Sequence, residues 1–91
     1  PSTSRDIAFI ASKDLTFTDI EKCIRTHQHD LLTQYDLFDH FESDDLGPDK
    51  KSMAIRFWYQ HPKKTLKDKV VNTIHDTFSS HFFKDLPISP R

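Results

Sequence analysis

The decapeptide KSMAIRFWYQ, residues 51–60, alternates without a break: Met53, Ile55, Phe57 and Tyr59 fall on one side, Ser52, Ala54, Arg56 and Trp58 on the other. A strand of period two with all its aliphatic bulk on one face needs a sheet that is covered on that face only. The chain must therefore supply further strands and a covering layer. It must also leave the Ser52, Ala54, Arg56 and Trp58 face open.

The rest of the chain supplies these parts in order. RDIAFIA alternates as a first strand, with Ile7 and Phe9 on one face and Ala8 and Ile10 on the other. In TDIE, Thr18 and Glu21 have the spacing of a capping box. Ile20, Cys23, Ile24 and His27 then recur at helical intervals, so a helix is predicted from Thr18 to His29. A second strand follows over Leu32–Phe41. ESDDLGPDKK carries the Gly47-Pro48 turn signal and joins it to the decapeptide. A second helix is predicted from Thr65, with Asp68 three residues on, to Phe83, along a stripe of Leu66, Val70, Val71, Ile74, Phe78 and Phe82. A short strand around Ile88 must take a sheet edge, because Pro87 and Pro90 cannot donate ladder hydrogen bonds.

The order is strand, helix, strand, repeated. This βαββαβ pattern is an α+β, ferredoxin-like split β-α-β fold: a four-stranded antiparallel sheet with two helices on one face. One domain is expected over 1–91, with a linker at 1–4 and a central loop at 42–51. In YDLFDHFES, alternation points Asp39 and Phe41 together, away from Phe38 and His40; the large apolar Phe38 is expected in the core, which turns Asp39 and Phe41 to the open face. A ring on an open sheet is a stacking platform for a nucleobase. A carboxylate beside it accepts from adjacent donors, and guanine is the base whose pairing edge offers two. Small residues at Ala8 and Ala54 would let a base approach the sheet.

Composition removes several classes. Thirteen Lys and Arg against fourteen Asp and Glu leave a net charge of −1, without the surplus of a free-standing nucleic-acid binder. The charge is unevenly spread, with Glu42, Asp44, Asp45 and Asp49 in one cluster and Lys63, Lys64, Lys67 and Lys69 in another, both read as solvated faces. No apolar run is long enough for a membrane helix, and no basic, apolar and small-residue succession marks a signal peptide in these residues. A single cysteine, Cys23, excludes an internal disulfide and fits a reducing, cytoplasmic setting. It is expected as a small buried hydrophobe. The six histidines meet no zinc spacing, so no metal site is expected. Phosphate-hydrolase chemistry lacks its glycine-rich loop, since Gly47 is alone. Asp68 is accounted for as a cap, which removes an Asp68–Asp76 acid pair. A start at Pro1, with no Met, suggests a piece of a longer protein.

At RDIAF, LFDHF, KSMAIRFWYQHP, KTLKD and the final Arg91, the chain resembles the ferredoxin-fold anticodon-binding domain that closes the beta chain of bacterial phenylalanyl-tRNA synthetase. The likeness runs from about Arg5 to Arg91. It implies a non-catalytic tRNA-binding module that grips the anticodon stem-loop of phenylalanine tRNA. Its partners would be the remainder of the beta chain and an alpha chain, with ATP and magnesium used elsewhere in the parent ligase and no cofactor here. Matched motif by motif, Asp39 and Phe41 would recognise and stack on the first anticodon base, beside Ser52 and Arg91, with Ala8 in the floor. Phe41 stands where the family often has Tyr, and ISPR puts a proline where a regular strand is usual. Two alternatives stay open. One is the equivalent domain of an organellar single-chain synthetase, in an organelle matrix; the other is a regulatory or protein-interaction domain of the same fold, in which Trp58 and Phe41 meet a protein.

Overall fold

A computed structural model describes residues 2–91. The elements are β1 (Thr3–Ser12), α1 (Phe17–His27), β2 (Leu32–Phe41), a 3-10 turn (Asp44–Leu46), β3 (Lys50–Tyr59), α2 (Asp68–Asp85) and β4 (Ile88–Pro90). The sheet order is β2-β3-β1-β4, and every neighbouring pair is antiparallel. β1 and β2 therefore run parallel with β3 between them, and each helix is a crossover, as the ferredoxin-like pattern requires.

Alternation decides which side is filled. Ile7 and Phe9 of β1 lie opposite Ile55 and Met53 of β3, and these buried residues with Phe57 and Tyr59 meet Ile20 and Ile24 of α1 and Val71, Phe78 and Phe82 of α2. Cys23 joins this core. The Phe57 ring lies 5.0 Å from that of Phe78 and 6.4 Å from that of Phe82, both edge-on. Edge-to-face pairs of this kind contribute beyond their buried area.

The helix ends differ from the predicted ones, for local reasons. The capping box of α1 is Thr16 and Asp19: the Asp19 amide donates to Thr16 Oγ1 at 3.1 Å and the Thr16 amide to Asp19 Oδ2 at 3.3 Å. Starting there brings Phe17 into the helix against the core and frees Glu21 to accept from the Tyr35 hydroxyl at 2.7 Å. α1 stops at His27, because the extended Gln28 leaves the helix and donates through Nε2 to the Leu32 carbonyl. α2 starts at Asp68 without a side-chain cap, and Asp68 instead pairs with Arg5 at 3.5 Å. Its buried seam is Val71, His75, Phe78 and Phe82, so Val70, assigned to the stripe from sequence, is 43% exposed.

Strands claim part of the expected linker and loop. Thr3 and Ser4 pair with Tyr59 and Trp58, whereas Pro1 lies outside the described residues. β3 takes Lys50 and Lys51 from the central loop, where Gly47 adopts φ +110°, a backbone angle that other residues adopt only under strain. The buried Lys51 ammonium donates to the carbonyls of Lys13 and Leu15 and so ties the β1–α1 connection to β3.

His75 gives the core a pH dependence. Its Nδ1 lies 2.7 Å from the Tyr59 hydroxyl, and burial lowers its pKa from 6.5 while raising that of Tyr59, so a neutral imidazole accepts from a protonated phenol. An unfolded chain binds a proton there more readily than the folded one. The His75 contribution is therefore complete above about pH 6.5 and is lost as pH falls through and below that value. Urea midpoints measured between pH 7.5 and pH 5 (roughly, bracketing the ordinary His range) should fall with acidity. The slope should shrink in His75→Phe.

Candidate nucleic-acid interface

The face away from the helices is built in rows by strand register. Gln34, Trp58 and Ser4 form one row, and Asp36, Arg56 and Asp6 the next. Asp39, Ala54 and Ala8 form a third, and Phe41, Ser52, Ile10 and Ser89 a fourth, reaching β4. Trp58 thus stands on the open face, where alternation put it, and is half-buried.

All five residues singled out from sequence meet here: Asp39 and Ala8 in the third row, Phe41 and Ser52 in the fourth, and Arg91 just past the end of β4. β4 ends beside β1, and the Arg91 amide donates to the Ala8 carbonyl at 3.1 Å. That backbone bond aims the Arg91 side chain across the sheet. Its guanidinium donates to Ser52 Oγ, stands 3.8 Å from Asp39 Oδ2, and lies 5.7 Å from the centre of the Phe41 ring. Ser52 is fully buried beneath this contact, while Phe41 remains 44% exposed. The result is a shallow floor of Ala8 and Ala54 with a ring, a carboxylate and a guanidinium around it. The proline of ISPR does not prevent this: Pro90 pairs with Phe9 at the sheet edge, where a missing donor is tolerated.

One strand assignment needs correction. Phe38 is not in the core: it is 45% exposed, and the Arg56 guanidinium lies 4.5 Å over its ring. The register of β2 against β3 slips between Leu37, opposite Ile55, and Asp39, opposite Ala54. Phe38 is the extra residue of a β-bulge, so Phe38 and Asp39 both leave on the open side while Leu37 packs on the core. A signal was present in the sequence. Tyr35 and Leu37 are apolar in one phase and Phe41 in the same phase with Asp39, a set that one unbroken strand cannot bury on one side and expose on the other.

The bulge creates a second cluster that periodicity alone did not reveal. Arg56 makes a two-pronged pair with Asp6, at 2.8 and 3.0 Å, while it stacks on Phe38. The Asp6 carboxylate raises the Arg56 pKa further above its already high value. This exposed guanidinium is thus fully charged and held over a ring. The open face as a whole mixes Asp6, Asp36 and Asp39 with Arg56 and Arg91, which agrees with the near-neutral net charge.

Fold and face together define a ferredoxin-like α+β domain with an uncovered sheet equipped for stacking and hydrogen bonding. The model of the ferredoxin-fold anticodon binding domain matches residues 1–91. The chain belongs to that family. It is 40% identical over 73 residues to the phenylalanine–tRNA ligase beta subunit of Pseudomonas putida, covering 80% of this chain and 9% of the relative. It is 35% identical over 91 residues to the beta subunit of a Synechococcus strain, JA-3-3Ab, covering 100% of this chain and 11% of the relative. With the beta subunit of Porphyromonas gingivalis it shares 36% identity over 74 residues, 81% of this chain and 9% of that one. The chain thus spans about a tenth of the length of these relatives. Among the described residues, no helix is long and apolar enough to cross a membrane.

Proposed function

We propose that the open sheet face reads the anticodon of phenylalanine tRNA, as a non-catalytic module of a phenylalanine–tRNA ligase beta chain. The observation that carries this reading is the convergence of Arg91 on Ser52, Asp39, Phe41 and Ala8 over an alanine floor. Phe41 stacks on the first anticodon base. Asp39 accepts from the two adjacent donors of a guanine edge, and an edge with an acceptor in the same place is repelled. Ser52 and Arg91 hydrogen-bond beside them. The tRNA backbone is gripped chiefly by the remainder of the beta chain and an alpha chain, because a domain of charge −1 has little counterion release to offer. ATP and magnesium serve the aminoacylation site elsewhere in that ligase, in the cytoplasm or in an organelle matrix.

The test is a titration of the chain with the anticodon stem-loop at low salt, followed by backbone amide shifts. A second stem-loop carries adenine in place of the guanine at the first anticodon position. Shifts should cluster on β2 and β3 around Asp39, Phe41 and Ser52 and should be smaller with adenine. Shifts confined to the helical side, or equal for both bases, would refute the reading and favour a protein contact through Trp58.

A further inference from the structure

On the helical side, remote from the open face, α1 and α2 bring together side chains that chain spacing kept apart. Cys23 and His27 are four residues apart on α1, and His81 and Asp85 four apart on α2, so each helix presents its pair on one face. His27 Nε2 and Asp85 Oδ2 are 2.5 Å apart although 58 residues separate them in sequence. The His27 and His81 rings stack at 4.6 Å with only 5° between their planes. Ligand atoms of Cys23, His27 and Asp85 all lie within 4.8 Å of one another. Cys23 is thus not isolated, as the sequence suggested.

We propose that Cys23, His27 and Asp85 form a Zn2+ site that clamps α1 to the end of α2. A thiolate, an imidazole and a carboxylate are the donor types that zinc takes in tetrahedral sites, whereas calcium and magnesium call for oxygen ligands throughout. Water fills the fourth position, and the stacked His81 ring fixes the plane of His27. Two adjustments are needed: the Nε2–Oδ2 separation opens from 2.5 Å to roughly 3.3 Å, and the Sγ separations, now within 4.8 Å, settle at roughly 3.5 Å, as ligands at about 2.0–2.3 Å from zinc require. The proton shared with Asp85 transfers through solvent to His27 Nδ1. Burial, with the Asp85 charge beside it, raises the Cys23 pKa, so without metal the thiol is protonated. Zinc binding forms the Zn–S bond and sends that proton to solvent. Two of the ligands come from α1 and the third from the end of α2, and the site therefore exists only in the folded state.

Because Cys23 is the one cysteine of the chain, its spectrum is unambiguous. The reduced, chelator-treated chain is titrated with Co2+ as the probe. A near-ultraviolet thiolate-to-cobalt band and intense visible bands should saturate at one equivalent, with release of a proton, and be displaced by Zn2+. Cys23→Ser should abolish the near-ultraviolet band. Asp85→Asn, at a half-exposed surface position that leaves the thiol and core intact, should weaken Co2+ binding by at least the roughly ten- to hundredfold that loss of an outer-shell partner costs and remove the rise in melting temperature that Zn2+ gives the parent chain. No near-ultraviolet band with the thiol reduced would overturn the proposal. So would unchanged affinity in Asp85→Asn, since the cluster would then be a hydrogen-bonded helix contact. Neither result bears on the open face.

Discussion

Phe57→Ala should remove about 3–5 kcal/mol of stability, the usual loss when a large aromatic in a closed core becomes alanine. Phe57 is fully buried on β3, an inner strand of the sheet, and its ring packs edge-on against Phe78 and Phe82 and at 5.9 Å from His75. Two of these partners, with Phe9 beside Phe82, belong to one continuous aromatic cluster that joins α2 to the sheet. Removing the central ring leaves a cavity that backbone hydrogen bonds on both sides of β3 prevent from collapsing. A domain of this size has roughly 5–15 kcal/mol in all. The variant should therefore unfold at a much lower urea concentration than the parent chain, with an unchanged slope, and part of it should be unfolded at 37 °C (about, from the same stability range). A loss below about 1 kcal/mol would mean that α2 is not seated on β3 as described.

Much of this was legible because burial follows alternation wherever a strand is regular. Met53, Ile55, Phe57 and Tyr59 are all buried, and Ile7 and Phe9 lie opposite two of them. The order of strands and helices followed from two periodicities and the turn at Gly47-Pro48. Where sequence reasoning went astray, a local competitor decided the outcome. Thr16 and Thr18 each have an acid three residues on, and only packing of Phe17 and the Tyr35–Glu21 bond select Thr16. Period two has no place for an inserted residue, so the bulge at Phe38 showed only as a conflict of phase along β2, and Arg56 found its ring unannounced. The Cys23, His27 and Asp85 group is a product of tertiary contact and has no linear spacing to read. Asp39 and Phe41 stand on the open face as expected but for a different reason: Phe38, whose burial was to turn them outward, itself faces out, and the bulge sets them in register with Ala54 and Ser52.

Phe41→Ala is the converse experiment, on the same residue type in the neighbouring strand β2 but on the uncovered side. Its ring is 44% exposed and contacts the Arg91 guanidinium rather than the core, so stability should change by no more than about 0.5 kcal/mol. Affinity for the anticodon stem-loop should fall by about 1–3 kcal/mol, roughly 5- to 150-fold, because every base presents a face to stack on. The loss should be nearly the same for stem-loops with guanine or adenine at the first anticodon position. Asp39→Asn should behave differently. The amide keeps the size of the carboxylate and one acceptor but replaces the other with a donor, which opposes one of the two guanine donors. Guanine affinity should drop while adenine affinity holds or rises, so that the ratio between them approaches one. The ring thus sets how tightly a base is held and the acid sets which base. Isothermal titration of both variants against both stem-loops separates these roles: equal losses for the two bases in Asp39→Asn would reduce Asp39 to a partner of Arg91, and an unfolded Phe41→Ala would move its ring into the core.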